Sequence, residues 1–170
     1  MTANVERASR PDAAGAEHRE SARFEIRQLA RADIPELIDL CREHAVYEGA
    51  IYEETGQADR LADALFGAAP SLHGWFVLQS GAACGFMTAT IDFATWTARS
   101  FVHMDCLYLR PEARGKGVGR ALIASLRDFA RQRDCDLIQW QTPPSNELGI
   151  RFYDGIGAVN KPKLRYFLNV

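Results

Sequence analysis

Apolar and polar positions along this chain switch between a period near two and a period near 3.6, and the switches mark out its elements. Phe24-Glu-Ile-Arg-Gln28 alternates and predicts a first strand. Ile34, Leu37, Ile38, Cys41 and Ala45 recur at helical spacing behind Asp33, a predicted N-cap, with Pro35 in the first turn. Leu61, Ala62, Leu65 and Phe66 predict a second helix over 57–66. Two strands follow, near Gly74–Gln79 and Cys84–Phe93, joined at Ser80-Gly81 as a hairpin turn. Another strand-like run, Phe101–Leu109, is stopped by Arg110-Pro111. Val118, Leu122, Leu126 and Phe129 then line one face of a helix, with Arg127, Asp128, Arg131 and Arg133 at polar positions. Asp136–Thr142 reads as a strand ended by Pro143-Pro144, and Asn146–Gly157 as a short helix with Gly155 or Gly157 near its C-terminus. Leu164–Leu168 reads as a last strand. The predicted class is α/β (α+β), a mixed, mostly antiparallel sheet flanked by helices. Residues 1–22 have no periodicity and predict a mobile N-terminal tail ahead of a single domain, 23–170.

The densest chemistry lies between the strand ending at Leu109 and the helix starting near Val118. There, Arg114-Gly115-Lys116-Gly117-Val118-Gly119-Arg120 brings three glycines to a helix start. First-turn N–H groups have no intrahelical partner, and the helix dipole is positive at that end. Glycines let the backbone close on a phosphate, and Arg114, Lys116 and Arg120 add charge. A helix start with ordinary solvated arginines is the plain alternative, but it leaves the helix-weakening glycines without a purpose. Spacing narrows the ligand. Gly117 follows Lys116 where a P-loop needs Ser or Thr, and the glycines alternate where the dinucleotide fingerprint needs a wider gap.

The remaining pattern, R-x-x-G-x-G after a strand, resembles the acyl-coenzyme A pyrophosphate loop of the GNAT N-acetyltransferase superfamily. A second resemblance follows in order: an asparagine, Asn146, after a strand, then a helix carrying Phe152-Tyr153 and a terminal glycine. Together they cover residues 24–170 and imply the GNAT acyl-CoA N-acyltransferase fold, with a splayed strand pair that opens a slot for pantetheine. They also imply acetyl-CoA as cosubstrate. It would be held by Arg114, Gly115, Lys116, Gly117, Val118, Gly119 and Arg120, by the backbone of Leu107, Tyr108 and Leu109, and by Asn146 and Tyr153. The function implied is direct acetyl transfer to a primary amine of a small molecule, polyamine/diamine-like or amino-acid-like. Acetylation of a protein or peptide, or of an aminoglycoside, is the alternative within enzymes. A non-catalytic acyl-CoA sensor is the alternative outside them. The family also implies a homodimer.

By the same resemblance Tyr153 is the general acid that protonates the departing thiolate, against a simple packing role beside Phe152. Asp105, in an otherwise apolar strand, matches an acidic residue of the diamine and spermidine acetyltransferase branch, where it deprotonates or anchors the amine. Its structural alternative is an ion pair with Arg99 or His103. His103 would share its face in a regular strand, as a second base or a core histidine. Glu48, Asp92 and Trp96 echo the substrate side of that branch, and Glu53 and Glu54 could extend an acidic mouth; a solvated rim is the alternative. Trp75 and Trp140 are expected in the core, and so is Phe167, although Arg165-Tyr166-Phe167 could reach the substrate.

Composition sets bounds. A net charge of −2 over 170 residues argues against a nucleic-acid or membrane-surface binder. No apolar run has the length of a membrane span or a signal segment. Cys41, Cys84, Cys106 and Cys135, like the four histidines, have neither disulfide-framework nor ligand spacing. The expectation is therefore a cytoplasmic protein with reduced thiols and no metal.

Overall fold

The computed structural model describes residues 24–170; the predicted tail, 1–22, lies outside them. Strand β1 (Phe24–Gln28) leads through a short 3-10 turn into helices α1 (Ile34–Glu48) and α2 (Gln57–Phe66). Strands β2 (His73–Gln79), β3 (Ala82–Ala94) and β4 (Arg99–Leu109) precede helix α3 (Val118–Gln132), strand β5 (Ile138–Gln139) and helix α4 (Glu147–Gly155). The sheet runs in chain order, antiparallel from β1 to β4, with β5 parallel to β4. The predicted Ser80-Gly81 turn is present, with φ of 51° and 83°, the left-handed pair a two-residue hairpin requires.

The alternation of the strands divides the apolar residues between two layers. Phe76, Phe86 and Tyr108 face α1 and α2, where Leu37 and Leu40 are fully buried. Trp75, Val77, Met87 and Val102 face α3, where Leu122 and Leu126 are fully buried. Each such side chain removed from water contributes about 2–3 kcal/mol.

Four sequence expectations are corrected. Asp33 does not cap α1. Its carboxylate is held by Arg27 at 2.6 and 2.8 Å and accepts the Ala30 N–H at 2.7 Å, so the charged partner outcompetes the helix N–H groups. β5 is two residues long instead of seven, because β4 and β5 pair only at Val102–Ile138 and His103–Gln139 before diverging. Leu164–Leu168 forms no strand: residues 158–170 have no regular structure and pair with no strand among the described residues. Phe167 is accordingly exposed, not in the core.

The central irregularity of the sheet is in β4. Thr88 of β3 stands opposite Cys106 while its neighbour Ala89 stands opposite Met104, so Asp105 is an extra residue in a β-bulge. The bulge switches the alternation. Val102 and Met104 belong to the α3 core before it, and Leu107 and Leu109 belong to the same core after it.

Candidate active site

Where β4 and β5 part, a slot opens between the α1 layer and α4. The Val102 N–H donates toward β5, to the Leu137 carbonyl at 3.0 Å, and the Arg110 N–H donates toward β3, to the Cys84 carbonyl at 2.9 Å. Strand alternation, interrupted once by the bulge, therefore turns the N–H and C=O groups of Leu107 and Leu109 to the open edge. Tyr108 points elsewhere: its ring packs in the α1 layer and its hydroxyl donates to Glu43 at 3.3 Å.

Glu48 at the end of α1, Asp105 at the bulge and Tyr153 on α4 line the same cavity, of about 40 Å³, together with Asn146 and Leu107. Asp105 is exposed to this slot instead of buried in the strand. Neither predicted ion-pair partner reaches it. Arg99 bonds Asp136 at 3.1 Å, and His103 stands in the paired part of β4 opposite Thr90. The contacts of Asp105 are the Thr88 hydroxyl and the Cys106 thiol, both at 3.5 Å.

Tyr153 sits between Trp140 and Phe152, at ring separations of 5.0 and 5.3 Å. Burial, reinforced by the nearby negative charge of Glu48, pushes its phenol up to about 12, so it keeps its proton across the neutral range. Its place is fixed by Asn146. The Asn146 side-chain oxygen caps α4 through the Gly149 N–H at 3.0 Å and accepts the Tyr47 hydroxyl at 3.1 Å. The Asn146 amide nitrogen donates to Thr142 at 3.0 Å. One side chain thus ties α1, the loop after β5 and α4 together. Asn146→Ala is expected to cost about 1 kcal/mol of stability and to lower kcat more than it raises the KM for acetyl-CoA, because α4 carries Tyr153; steady-state kinetics with thermal unfolding check this.

The glycine loop opens as the sequence predicts, although its charges are distributed differently. Gly115 and Gly117 have φ of 70° and 82°, and a Cβ at either would meet none of the described residues within 4 Å. α3 begins at Val118 and its first backbone bond runs from Ala121 N–H to the Gly117 carbonyl at 3.1 Å, so the N–H groups of Val118, Gly119 and Arg120 have no intrahelical acceptor. This open, donor-rich concavity beside the free edge of β4 fits a pyrophosphate with an extended arm. Arg114 turns to the α1 side, its Nε on the Leu109 carbonyl at 2.8 Å and its guanidinium 4.6 Å from the Tyr47 ring. Arg120 donates to the Gly155 carbonyl at 2.8 Å, compensating the negative end of α4. Gly119 serves packing: a Cβ there would stand 3.0 Å from Phe152. Among the described residues Lys116 remains as the cation of the loop itself, its Nζ 5.7 Å from the Phe24 ring centroid.

Two predicted substrate residues are not brought to the slot. Asp92 accepts the Thr90 hydroxyl at 2.8 Å in the far half of β3, and Trp96 stands fully exposed in the β3–β4 turn. Glu54 is paired with Arg42, outside the slot.

The acetyltransferase (GNAT) family model matches residues 32–158. The chain belongs to the GNAT family. It is an acyl-CoA-dependent N-acetyltransferase, and its curated relatives include the thialysine N-epsilon-acetyltransferase of Caenorhabditis elegans, 26% identical over 140 residues covering 82% of this chain and 86% of that protein. The D-amino-acid N-acetyltransferase of Saccharomyces cerevisiae is 30% identical over 94 residues, 55% of this chain and 58% of its own length. Among solved structures, the aminoglycoside N-acetyltransferase AAC(6')-Iy in complex with CoA superposes with a TM-score of 0.70 at 18% identity, covering 86% of this chain and 95% of that one. The ribosomal-protein-alanine N-acetyltransferase from Brucella melitensis biovar Abortus 2308 gives a TM-score of 0.70 at 22% identity, covering 86% and 99%. These likenesses establish the GNAT fold. Among its described residues this GNAT chain has no helix long and apolar enough to cross a membrane.

Proposed function

We propose that this N-acetyltransferase acts on the primary amine of a small cationic molecule, of the diamine or amino-acid type, with acetyl-CoA as donor. The observation that carries the reading is the convergence of Glu48, Asp105 and Tyr153 on one narrow slot at the split between β4 and β5. Two carboxylates face an ammonium, and a cavity of about 40 Å³ admits the reacting end of a slender amine before it admits a folded chain.

Acetyl-CoA, when bound, supplies a thioester carbonyl already activated for attack, so no covalent enzyme intermediate is needed. Gly115, Gly117 and the first turn of α3, with Lys116, hold its pyrophosphate; the open edge at Leu107 and Leu109 holds the pantetheine and offers a backbone N–H to the developing oxyanion. Glu48 attracts the ammonium. Asp105, directly or through a water, takes a proton from it, and the free amine attacks the carbonyl carbon. Tyr153 gives its proton to the sulfur as the carbon–sulfur bond breaks.

The test is thiol release from acetyl-CoA with 1,4-diaminobutane, lysine, an aminoglycoside and a lysine-containing peptide. Turnover confined to the first two supports the reading, and turnover only with the peptide or the aminoglycoside replaces it. Acetyl-CoA binding without thiol release from any amine makes the protein a sensor. The four free thiols accord with a reducing, cytoplasmic setting.

The same reading includes a homodimer. Supporting it are Leu164, Tyr166 and Leu168, which alternate in an unpaired segment and are 82%, 85% and 91% exposed. That apolar strip suits pairing with a second copy. Removing residues 159–170, which lie beyond the matched family region, is expected to leave a monomer by sedimentation analysis.

A further inference from the structure

His44 is a residue that neither the motifs nor the proposed mechanism uses. It lies one helical turn before Glu48 on α1 and lines the same slot as Asp105 and Tyr153. Its side chain is only 16% exposed, so it is not a solvated helix residue. The imidazole is held flat against Tyr108, centroids 5.3 Å apart at 26°, with the edge of Phe86 at 6.0 Å. Its Nε2 is 3.6 Å from the Glu48 carboxylate.

We propose that His44 is a proton acceptor for the amine, placed on the α1 wall so that the ammonium proton passes to its imidazole, directly or through one water, before attack. The proposal rests on the acetyl-transfer reading above and adds a second acceptor beside Asp105. Protons balance. The ammonium gives one proton to the imidazole and the resulting amine attacks the carbonyl carbon. Tyr153 protonates the departing sulfur, and the second proton lost by the attacking nitrogen returns to the Tyr153 phenolate. The imidazolium then releases its proton to solvent.

The groups around the ring suit that cycle. Glu48 from α1 and Asp105 from β4 are negative and stabilise the imidazolium once it forms. Tyr108 from β4 and Tyr153 from α4 are phenols that burial keeps protonated. The thiols of Cys41 and Cys106 are likewise held protonated by burial. Of the cations on that side, Arg110 is paired with Glu43 at 2.7 Å, and Arg114, 5.8 Å from the Tyr108 ring centroid, donates to the Leu109 carbonyl at 2.8 Å. Burial lowers the imidazole from its ordinary value of 6.5, so at neutral pH it is uncharged and free to accept. An imidazole takes an ammonium proton over a smaller uphill step than an ordinary carboxylate does.

The test is kcat against pH for the full chain and for His44→Gln, with whichever panel amine turns over fastest. Wild type is expected to lose kcat with an acid limb centred below 6.5, as the imidazole charges. His44→Gln is expected to lack that limb and to lose about a hundredfold in kcat at neutral pH, with acetyl-CoA affinity unchanged and activity partly restored by added imidazole. A His44→Gln enzyme with wild-type kcat and pH profile overturns the role of His44 alone. Should that variant fail to bind acetyl-CoA, His44→Asn takes its place: a lost acid limb supports the proposal and a wild-type kcat and pH profile overturns it. A wild type that releases no thiol with any amine overturns the acetyl-transfer reading itself.

Discussion

Tyr153→Phe is expected to lower kcat by at least about a hundredfold, in the range general acid catalysis contributes, and to leave the KM for acetyl-CoA near its wild-type value. The substitution keeps the ring between Trp140 and Phe152 and removes only the hydroxyl, so packing of α4 is preserved. A thiolate then leaves without a proton donor. The pH profile supplies an independent check. Because burial holds the phenol up at about 12, the protonated acid is present throughout the working range, and the sign follows: losing it requires raising the pH toward that value. Wild-type kcat is therefore expected to show no alkaline fall due to Tyr153 below about pH 10. Steady-state kinetics of both proteins in thiol-release format decide it; equal kcat values reduce Tyr153 to a packing residue.

The second large effect is expected at Gly117. Gly117→Val places a β-branched side chain at φ of 82°, a conformation that costs an L-residue about 1–2 kcal/mol. A Cβ there meets no atom of the described residues within 4 Å, so there is no clash to disrupt the core. The added atoms instead enter the concavity assigned to the pyrophosphate. Calorimetric titration is expected to show acetyl-CoA affinity reduced by at least about tenfold, with a smaller loss of thermal stability. Undiminished affinity would move the phosphate site away from this loop.

Residues with local causes were legible in the sequence. The Ser80-Gly81 hairpin, the glycine loop and the apolar face of α3 each follow from a few neighbouring positions, and the structure has them where those positions put them. Features set by distant partners were not. The bulge at Asp105 exists only as a mismatch of register between β3 and β4, which alternation within one strand does not reveal. Asp33 looks like a helix cap until Arg27 is folded against it. Arg114 and Arg120 look like phosphate ligands until Tyr47 and the end of α4 are placed beside them. His44 belongs to no motif or ligand spacing, because nothing in α1 announces Tyr108 and the slot. A signal did exist: the i, i+4 spacing of His44 and Glu48 puts both on one face. Leu164–Leu168 alternates as a strand does, but a strand needs an edge to pair with, and none of the described residues offers it one.

The extra residue in β4 also partitions the enzyme for change. Asp105, Glu48 and His44 are presented with the α1 wall, while Leu107, Leu109 and the loop before α3 belong to the opposite wall. Amine preference can thus drift, or be re-engineered, through substitutions on α1 alone while the donor-binding half is inherited unaltered. Deleting Asp105 would restore plain alternation through β4 and keep Leu107 and Leu109 on the α3 side, so the donor-binding wall would survive the loss of the carboxylate.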